Sequence, residues 1–136
     1  MGLRERRVQK DFVENNYPQL AAEVQQAAGF PVEIEVDWKS LCEPEREHLY
    51  VEAWPKVYFK PLAEALSAIS ADEMGAEALQ ESLSKIVIQN QRDNSNGHYW
   101  AEFNEGVLTL DHKPMTNTEQ VTNRTNSVRT LLENSL

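Results

Sequence analysis

The sequence predicts an α+β fold, in which a single four-stranded, mainly antiparallel sheet is packed with N-terminal, central and C-terminal helices. Two observations support this fold class. Apolar and polar residues alternate over short stretches that are typical of strands, and longer stretches repeat their apolar residues at helical spacing. The expected order is one strand, a helical insert, and then a three-strand meander. We expect residues 1–136 to form one domain, with residues 1–10 as a candidate for a flexible, basic N-terminal segment.

The chain begins with a helical pattern over residues 3–28, which Pro18 divides into two. Asn16 suits the cap of the second helix, because its side chain can accept a hydrogen bond from a free N–H group, and Pro18 suits the first turn. Gly29 then supplies the positive φ at which helices commonly end. The apolar residues expected to face the core are Val8, Phe12, Val13, Leu20, Ala21, Val24, Ala27 and Ala28.

The clearest strand signal lies at residues 32–38. Val32, Ile34, Val36 and Trp38 alternate there with Glu33, Glu35 and Asp37. This alternation predicts a half-buried strand with one acidic face and one apolar face, the latter ending in a buried Trp38. The three acids are candidate interaction residues for a basic partner. On an edge strand, the same charges would discourage aggregation between sheets.

Residues 43–84 lack this alternation and predict helices. Pro55 suits a helix start, whereas Pro61 would lie inside a helix, where proline costs about 3 kcal/mol. We therefore expect a kink at Pro61 or a new helix that begins at Lys60. A shorter helix over residues 76–83 should follow a break at Met74-Gly75.

The meander is predicted at residues 86–91, 98–103 and 107–111. A three-residue turn at 104–106 would set the register of its last two strands, pairing Phe103 with Val107, Trp100 with Leu110, and His98 with His112. Thr116 and Glu119 have capping-box spacing and predict the start of a final helix. Its apolar stripe, formed by Val121, Val128, Leu131 and Leu132, should dock on the sheet. The alternative is pairing with a second copy, so we expect a monomer or a homodimer.

The residues that could carry chemistry are few. His98 and His112 on facing strands could supply two metal ligands and Asp111 a third. However, Asp111 should point to the other face of the sheet, so we favour polar, hydrogen-bonded side chains with no metal or cofactor. Cys42 is followed by two glutamates, which would raise the pKa of its thiol, and we assign no catalytic residue. The chain has no glycine-rich phosphate loop, paired CxxC, HExxH or GxSxG motif.

Charge and hydropathy exclude several classes of partner. Asp and Glu total 22 against 13 Lys and Arg, for a formal net charge of −9. Nucleic-acid binding requires clustered Lys and Arg, so we expect no nucleic-acid partner, whereas a basic protein partner fits the charge. The longest apolar runs are far shorter than the ~20 residues that span a membrane, and no secretory signal is evident. We therefore expect no membrane partner and a cytoplasmic location.

The predicted function is that of a small, acidic, soluble protein without catalytic activity. Its size and acidity resemble those of bacterial secretion chaperones and toxin-neutralising immunity proteins, a resemblance of bulk properties that implies binding to another protein. We therefore predict a protein-interaction module of adaptor, chaperone-like or immunity-like type. Trp54 and Tyr58 would mark a contact surface if exposed, since aromatic residues are enriched at binding hot spots, and would otherwise belong to the core. The alternative is a small-ligand-binding protein or enzyme with a pocket between the sheet and the helical insert.

Overall fold

The computed structural model describes residues 2–136. Its helices are α1 (Leu3–Asn15), α2 (Tyr17–Ala28), α3 (Trp38–Leu41), α4 (Tyr50–Trp54), α5 (Lys60–Ile69), α6 (Glu73–Ser82) and α7 (Val121–Ser135). Its strands are β1 (Glu33–Val36), β2 (Lys85–Gln89), β3 (Ala101–Asn104) and β4 (Val107–Asp111). A 3₁₀ turn at Glu47–Leu49 precedes α4, and a π-helical turn at Pro55–Phe59 joins α4 to α5. The α+β class predicted from the sequence is confirmed.

The four strands form one mixed sheet in the order β1-β2-β4-β3. β1 is parallel to β2 and β2 is parallel to β4, whereas β3 is antiparallel to β4. The prediction of a mainly antiparallel sheet with a three-strand meander is therefore wrong. After β2, residues 90–100 cross the sheet and leave one strand position open, about 5 Å wide. After β3, the chain turns back, and β4 occupies this position between β2 and β3. The helical insert between β1 and β2 provides the long crossover that parallel strands require.

The hairpin of β3 and β4 has a tighter turn than predicted. Glu105 and Gly106 both have positive φ, at 50° and 82°, as in the two-residue turns that match the twist of antiparallel strands. Phe103 consequently pairs with Leu108 rather than with Val107. The Asp111 N–H group bonds to the Trp100 carbonyl at 2.8 Å, so Trp100 lies opposite Asp111 rather than Leu110. The predicted register was wrong by one residue, and the predicted pairing of His98 with His112 was wrong with it.

Most local signals near the N-terminus correspond to the structure, although Asn16 stands at the cap position of α2 without the predicted side-chain hydrogen bond. The helical pattern over residues 3–28 is divided into α1 and α2, with Pro18 in the first turn of α2. Gly29 ends α2 in the left-handed conformation, with φ of 87°. Residues 3–10 form the first part of α1, in which Val8 packs against the core. β1 ends at Val36, because the Asp37 side chain accepts a hydrogen bond from the Ser40 N–H group and begins α3.

The end of α5 and the start of α6 approach each other closely. α6 begins at Glu73, not at Ala76 as predicted, because Asp72 caps it by accepting a hydrogen bond of 2.7 Å from the Gly75 N–H group. A Cβ atom at position 75 would lie 1.8 Å from the carbonyl oxygen of Ile69. Gly75 is therefore required for close packing of two backbone segments inside the helical insert, not for a break in the chain.

One face of the sheet packs against the helices. Its rows, read across the sheet, contain apolar side chains from all four strands: Ile34, Ile86, Leu108 and Phe103, and then Val36, Ile88, Leu110 and Ala101. Next to it, α1 to α4 and the π-helical turn contribute an aromatic cluster formed by Phe12, Tyr17, Trp38, Tyr50, Trp54 and Phe59. Trp38 lies in this cluster at the start of α3 and is half-buried, so its predicted place at the end of a strand was wrong.

The final helix begins later than the capping-box pattern predicted. α7 starts at Val121 and has no side-chain cap, and Glu119 instead forms an ion pair of 2.8 Å with Lys56. Val128 and Leu132 are fully buried where α7 packs against α5 and β3. The apolar stripe therefore packs inside the fold, but mainly on α5 and only partly on the sheet, where it was predicted to dock.

Candidate functional site

The second face of the sheet is not packed against helices, and we call it the open face. The register places its side chains in two rows, Glu33, Lys85, Val107 and Asn104, and Glu35, Val87, Thr109 and Glu102. Gln89 extends the surface at one end. All of these residues are exposed or half-buried, in contrast to the buried Ile86, Ile88, Leu108 and Leu110 on the other face. The open face is thus a polar surface with a small apolar centre at Val87 and Val107.

The three acids predicted as interaction residues lie at the β1 side of the open face. The Glu35 carboxylate is 2.8 Å from the Lys85 amine, and this pairing raises the pKa of Lys85. Asp37 caps α3 and also accepts a hydrogen bond of 2.7 Å from the Gln91 side-chain amide. Glu33 is exposed, and within residues 2–136 it forms no ion pair. The structure therefore brings all three together, with Glu33 the most available to a partner.

Two hollows lie along the open face. The larger, about 380 Å³, lies at the carboxyl ends of β1 and β2 and is lined by Glu35, Val36, Asp37, Val87 and Gln89. The smaller, about 160 Å³, is lined by Gln89, Gln91, Arg92, Glu102, Thr109 and Asp111. The larger hollow has two carboxylates in its lining, Glu35 and Asp37, whereas the smaller one combines Glu102 and Asp111 with the Arg92 guanidinium. The larger hollow is therefore suited to accept ammonium, guanidinium or amide N–H donors.

Asp111 holds the long loop of residues 90–100 against the end of β4. It is 3% exposed, and its Oδ1 atom accepts hydrogen bonds from the N–H groups of Gln91 and Arg92 at 3.1 and 3.2 Å. Its Oδ2 atom accepts a bond of 3.1 Å from the Gln89 amide and lies 3.6 Å from the Arg92 guanidinium. Charge-assisted bonds of this kind are stronger than neutral ones. Asp111 is therefore a positioning residue at the edge of the open face, a role that sequence reasoning missed.

The two histidines considered as metal ligands lie in different environments. His98 is exposed, whereas His112 is fully buried. The Nδ1 atom of His112 is 2.6 Å from the Lys113 carbonyl oxygen and so carries the proton, and its Nε2 atom is buried without a hydrogen-bond partner. Within residues 2–136, His98, His112 and Asp111 do not form a group that could hold a metal ion.

His112 should make the folded protein sensitive to mild acid. Burial lowers the pKa of His112, opposed by the bond to Lys113, and the nearby Arg124 guanidinium lowers it further. The unfolded chain therefore binds the proton more readily than the folded protein once the pH falls below about 6.5. The stability that neutral His112 confers is complete above that pH and is lost progressively as the pH falls through it.

We expect the free energy of unfolding to decrease from about pH 7 to about pH 5.5 with a slope of at most about 1.4 kcal/mol per pH unit. His112→Gln should remove this dependence, because an amide can still donate to the Lys113 carbonyl but does not titrate. Urea unfolding followed by tryptophan fluorescence across this range would measure it. His98→Gln is the matched control and should keep the slope. An unchanged slope in His112→Gln would assign the acid sensitivity to another group.

The remaining candidates from the sequence are internal. Trp54 and Tyr58 are fully buried, and the Tyr58 hydroxyl donates to the carbonyl oxygen of His112, so neither offers area to a partner. Cys42 is half-buried, with its sulfur 3.4 Å from the Trp38 carbonyl oxygen. Burial raises the pKa of the Cys42 thiol, which disfavours the thiolate that a nucleophile requires.

A cavity of about 180 Å³ lies between the central helices and the segment that follows β4. It is lined by Leu49, Glu52, Ala53, Lys56, Met115 and Thr118. The Lys56 amine is already held by Glu52 at 3.4 Å and by Glu119 at 2.8 Å. Small-molecule sites typically measure roughly 300–1,000 Å³. This cavity is smaller, and none of His98, His112 and Asp111 lines it.

Two further observations concern the chain as a whole. Across residues 2–136, every helix is too short or too polar to cross a membrane. No protein-family model, curated protein or solved structure matches this chain.

Proposed function

We propose that this protein is a non-catalytic, single-domain interaction module, which binds a basic protein partner through the open face of its sheet. The observation that carries this proposal is the division of the sheet into two faces. One face packs against the helices, and the other leaves Glu33, Glu35 and Glu102 exposed. A sheet face without helices is a surface that another protein can cover.

The charges on the open face favour a cationic partner. The two cations nearest its acids are already paired, since Lys85 lies 2.8 Å from Glu35 and Arg92 lies 3.6 Å from both Glu102 and Asp111. The remaining charge is negative, and the whole chain carries a formal net charge of −9. Such a field accelerates encounters with basic proteins and repels nucleic acids.

The surface also has the layout of a protein interface. Val87, Val107 and Thr109 form a small centre, surrounded by acids and amides that can hydrogen-bond. Interfaces usually combine a less polar centre with a polar rim. We place the module among adaptor-like, chaperone-like or immunity-like proteins of the cytoplasm. A ligand-binding or enzymatic role at the cavity beside Lys56 has less support, because that cavity is small and its cation is already paired.

Affinity capture with matched charge reversals tests the proposal. Immobilised wild-type protein should retain a basic protein in stoichiometric amount from a native lysate, and a Glu35→Lys, Glu102→Lys variant should lose it. The control carries Glu77→Lys and Glu81→Lys, two exposed acids on α6 and not on a strand, and should retain the partner. Circular dichroism would verify that both variants are folded. Retention by the open-face variant, or failure of the wild type to retain any stoichiometric partner, would contradict the proposal.

A further inference from the structure

We infer that the partner adds an extended, basic segment to the free edge of β1, as a fifth strand of the sheet. This inference rests on the proposed function and specifies the conformation and chemistry of the partner segment. β1 is the outermost strand next to β2, and among residues 2–136 no strand pairs with its other side. An unpaired edge presents N–H and C=O groups that can bind another chain.

The register shows which backbone groups of β1 are free. The Asp37 N–H group donates to the Ile88 carbonyl at 2.9 Å, just after β1 ends. In a parallel pair, alternate residues direct their backbone groups toward the neighbouring strand. The N–H and C=O groups of Ile34 and Val36 therefore point away from β2. These two residues supply the main-chain donors and acceptors for an added strand.

The side chains of β1 define the chemistry of that strand. Glu33 and Glu35 lie on the open face, and the half-buried Ile34 and Val36 lie on the face that packs against the helices. A segment that alternates Lys or Arg with apolar residues would match both faces at once. The hollow of about 380 Å³ lined by Glu35 and Asp37 adjoins this edge and can receive a long cationic side chain.

The same charges exclude a second copy of the chain as the occupant. Two β1 strands paired through their edges would bring the carboxylates of Glu33 and Glu35 opposite one another. Like charges directly across a strand pair are destabilising. The other edge of the sheet is less suited, because α7 packs against β3 and its one acid, Glu102, is matched by Arg92 at 3.6 Å. Charge complementarity therefore favours a basic segment over a second copy of the chain. It also favours the β1 edge over the β3 edge as the place where that segment binds.

A synthetic peptide of alternating Lys and Val tests this inference directly. It should bind the full-length protein in fluorescence anisotropy and shift the amide NMR signals of Ile34 and Val36. Methylating the peptide nitrogens that face β1 keeps the side chains and their charge but removes main-chain donors, and should weaken binding by about tenfold or more. Glu33→Gln with Glu35→Gln should also weaken it, whereas Glu102→Gln, on the far strand, should not.

The outcomes separate this inference from the proposed function. Equal binding of the methylated and unmethylated peptides would overturn strand addition, since charge alone would then suffice. Absence of peptide binding, or a dimer of the wild-type protein that is broken by Glu33→Pro, would overturn it as well. In each case, capture of a basic partner that depends on Glu35 and Glu102 would still support the open face as a binding surface.

Discussion

Replacement of Arg124 by methionine should lower the free energy of unfolding by about 3–5 kcal/mol. Arg124 is fully buried in α7, and its guanidinium donates only to backbone carbonyl oxygens. The acceptors are Val57 at 3.0 Å, Asn117 at 2.8 Å, Thr118 at 3.1 Å and Lys56 at 3.3 Å. Methionine fills part of the volume but leaves four carbonyl groups without this donor.

Two of these carbonyls lack a helical donor because of the local sequence. Pro61 has no N–H group, so Val57 cannot receive the bond that residue i+4 normally gives. In the π-helical turn, the Lys60 N–H group bonds to Pro55, which leaves the Lys56 carbonyl free as well. The guanidinium thus completes the hydrogen bonding of a helix interrupted by proline. The missing N–H group of Pro61 and the π-helical turn before it explain why α5 begins at Lys60, which is one of the two outcomes predicted from Pro61.

Urea unfolding of a small set of variants measures this role. Arg124→Lys should lower the free energy of unfolding nearly as much as Arg124→Met, because a single ammonium group cannot reproduce the several N–H donors of the planar guanidinium. Arg129→Met, an exposed change on the same helix, should stay within about 0.5 kcal/mol of the wild type. Pro61→Ala restores an N–H group that can donate to the Val57 carbonyl. The loss of stability that it causes should therefore be about 1 kcal/mol smaller in the Arg124→Met background than in the wild type. A loss below about 1 kcal/mol in Arg124→Met would show that other donors satisfy these carbonyls.

Short-range patterns predicted the local parts of the fold. The division of residues 3–28 near Pro18, the left-handed Gly29 and the alternation in β1 each depend on residues a few positions apart. The end of β1 was missed because the Asp37 side chain accepts a hydrogen bond from the Ser40 N–H group, which competes with strand extension. The start of α7 was missed because the capping-box pattern at Thr116 did not form a cap.

The order of the strands depends on long-range choices that local patterns do not record. Residues 104–106 are compatible with turns of two or three residues, and the choice moves the register by one position. The apolar sequence of β2 suits a strand with two neighbours, but it does not specify which strands those are. Insertion of β4 between β2 and β3 places β4 parallel to β2 and produces the mixed sheet.

The candidate site was predictable only where it follows strand alternation. Glu33 and Glu35 are exposed on one face, as their spacing indicates. Asp111 and Arg124 were missed, because several of their partners are backbone groups far along the chain. These lie 19–20 positions away for Asp111 and 67–68 positions away for two of the four acceptors of Arg124. The one available signal was Pro61, since a proline within a helix leaves a carbonyl that needs another donor.

Replacement of Trp54 by alanine should cost about 3–5 kcal/mol, because it empties the centre of the aromatic cluster. Trp54 is fully buried, and its ring stacks on Tyr50 with centroids 4.3 Å apart and planes 13° from parallel. It also meets Phe12 edge-on at 4.9 Å and lies 5.4 Å from Trp38. The cavity would separate α1, α3 and α4, all of which contribute rings to the cluster.

Graded substitutions in the cluster distinguish cavity formation from a general loss of helix. Trp38 is only half-buried, so Trp38→Ala should cost less than Trp54→Ala. Trp54→Phe should cost less than about 3 kcal/mol, because it keeps a ring and removes an Nε1–H group that is buried without an acceptor. Val51→Ala, at a half-exposed position of α4, is the control and should stay within about 0.5 kcal/mol of the wild type. Urea denaturation followed by circular dichroism gives all four values. If Trp54→Ala destabilised the protein no more than Trp38→Ala, the centre of the cluster would lie nearer to Trp38 than the burial of Trp54 indicates.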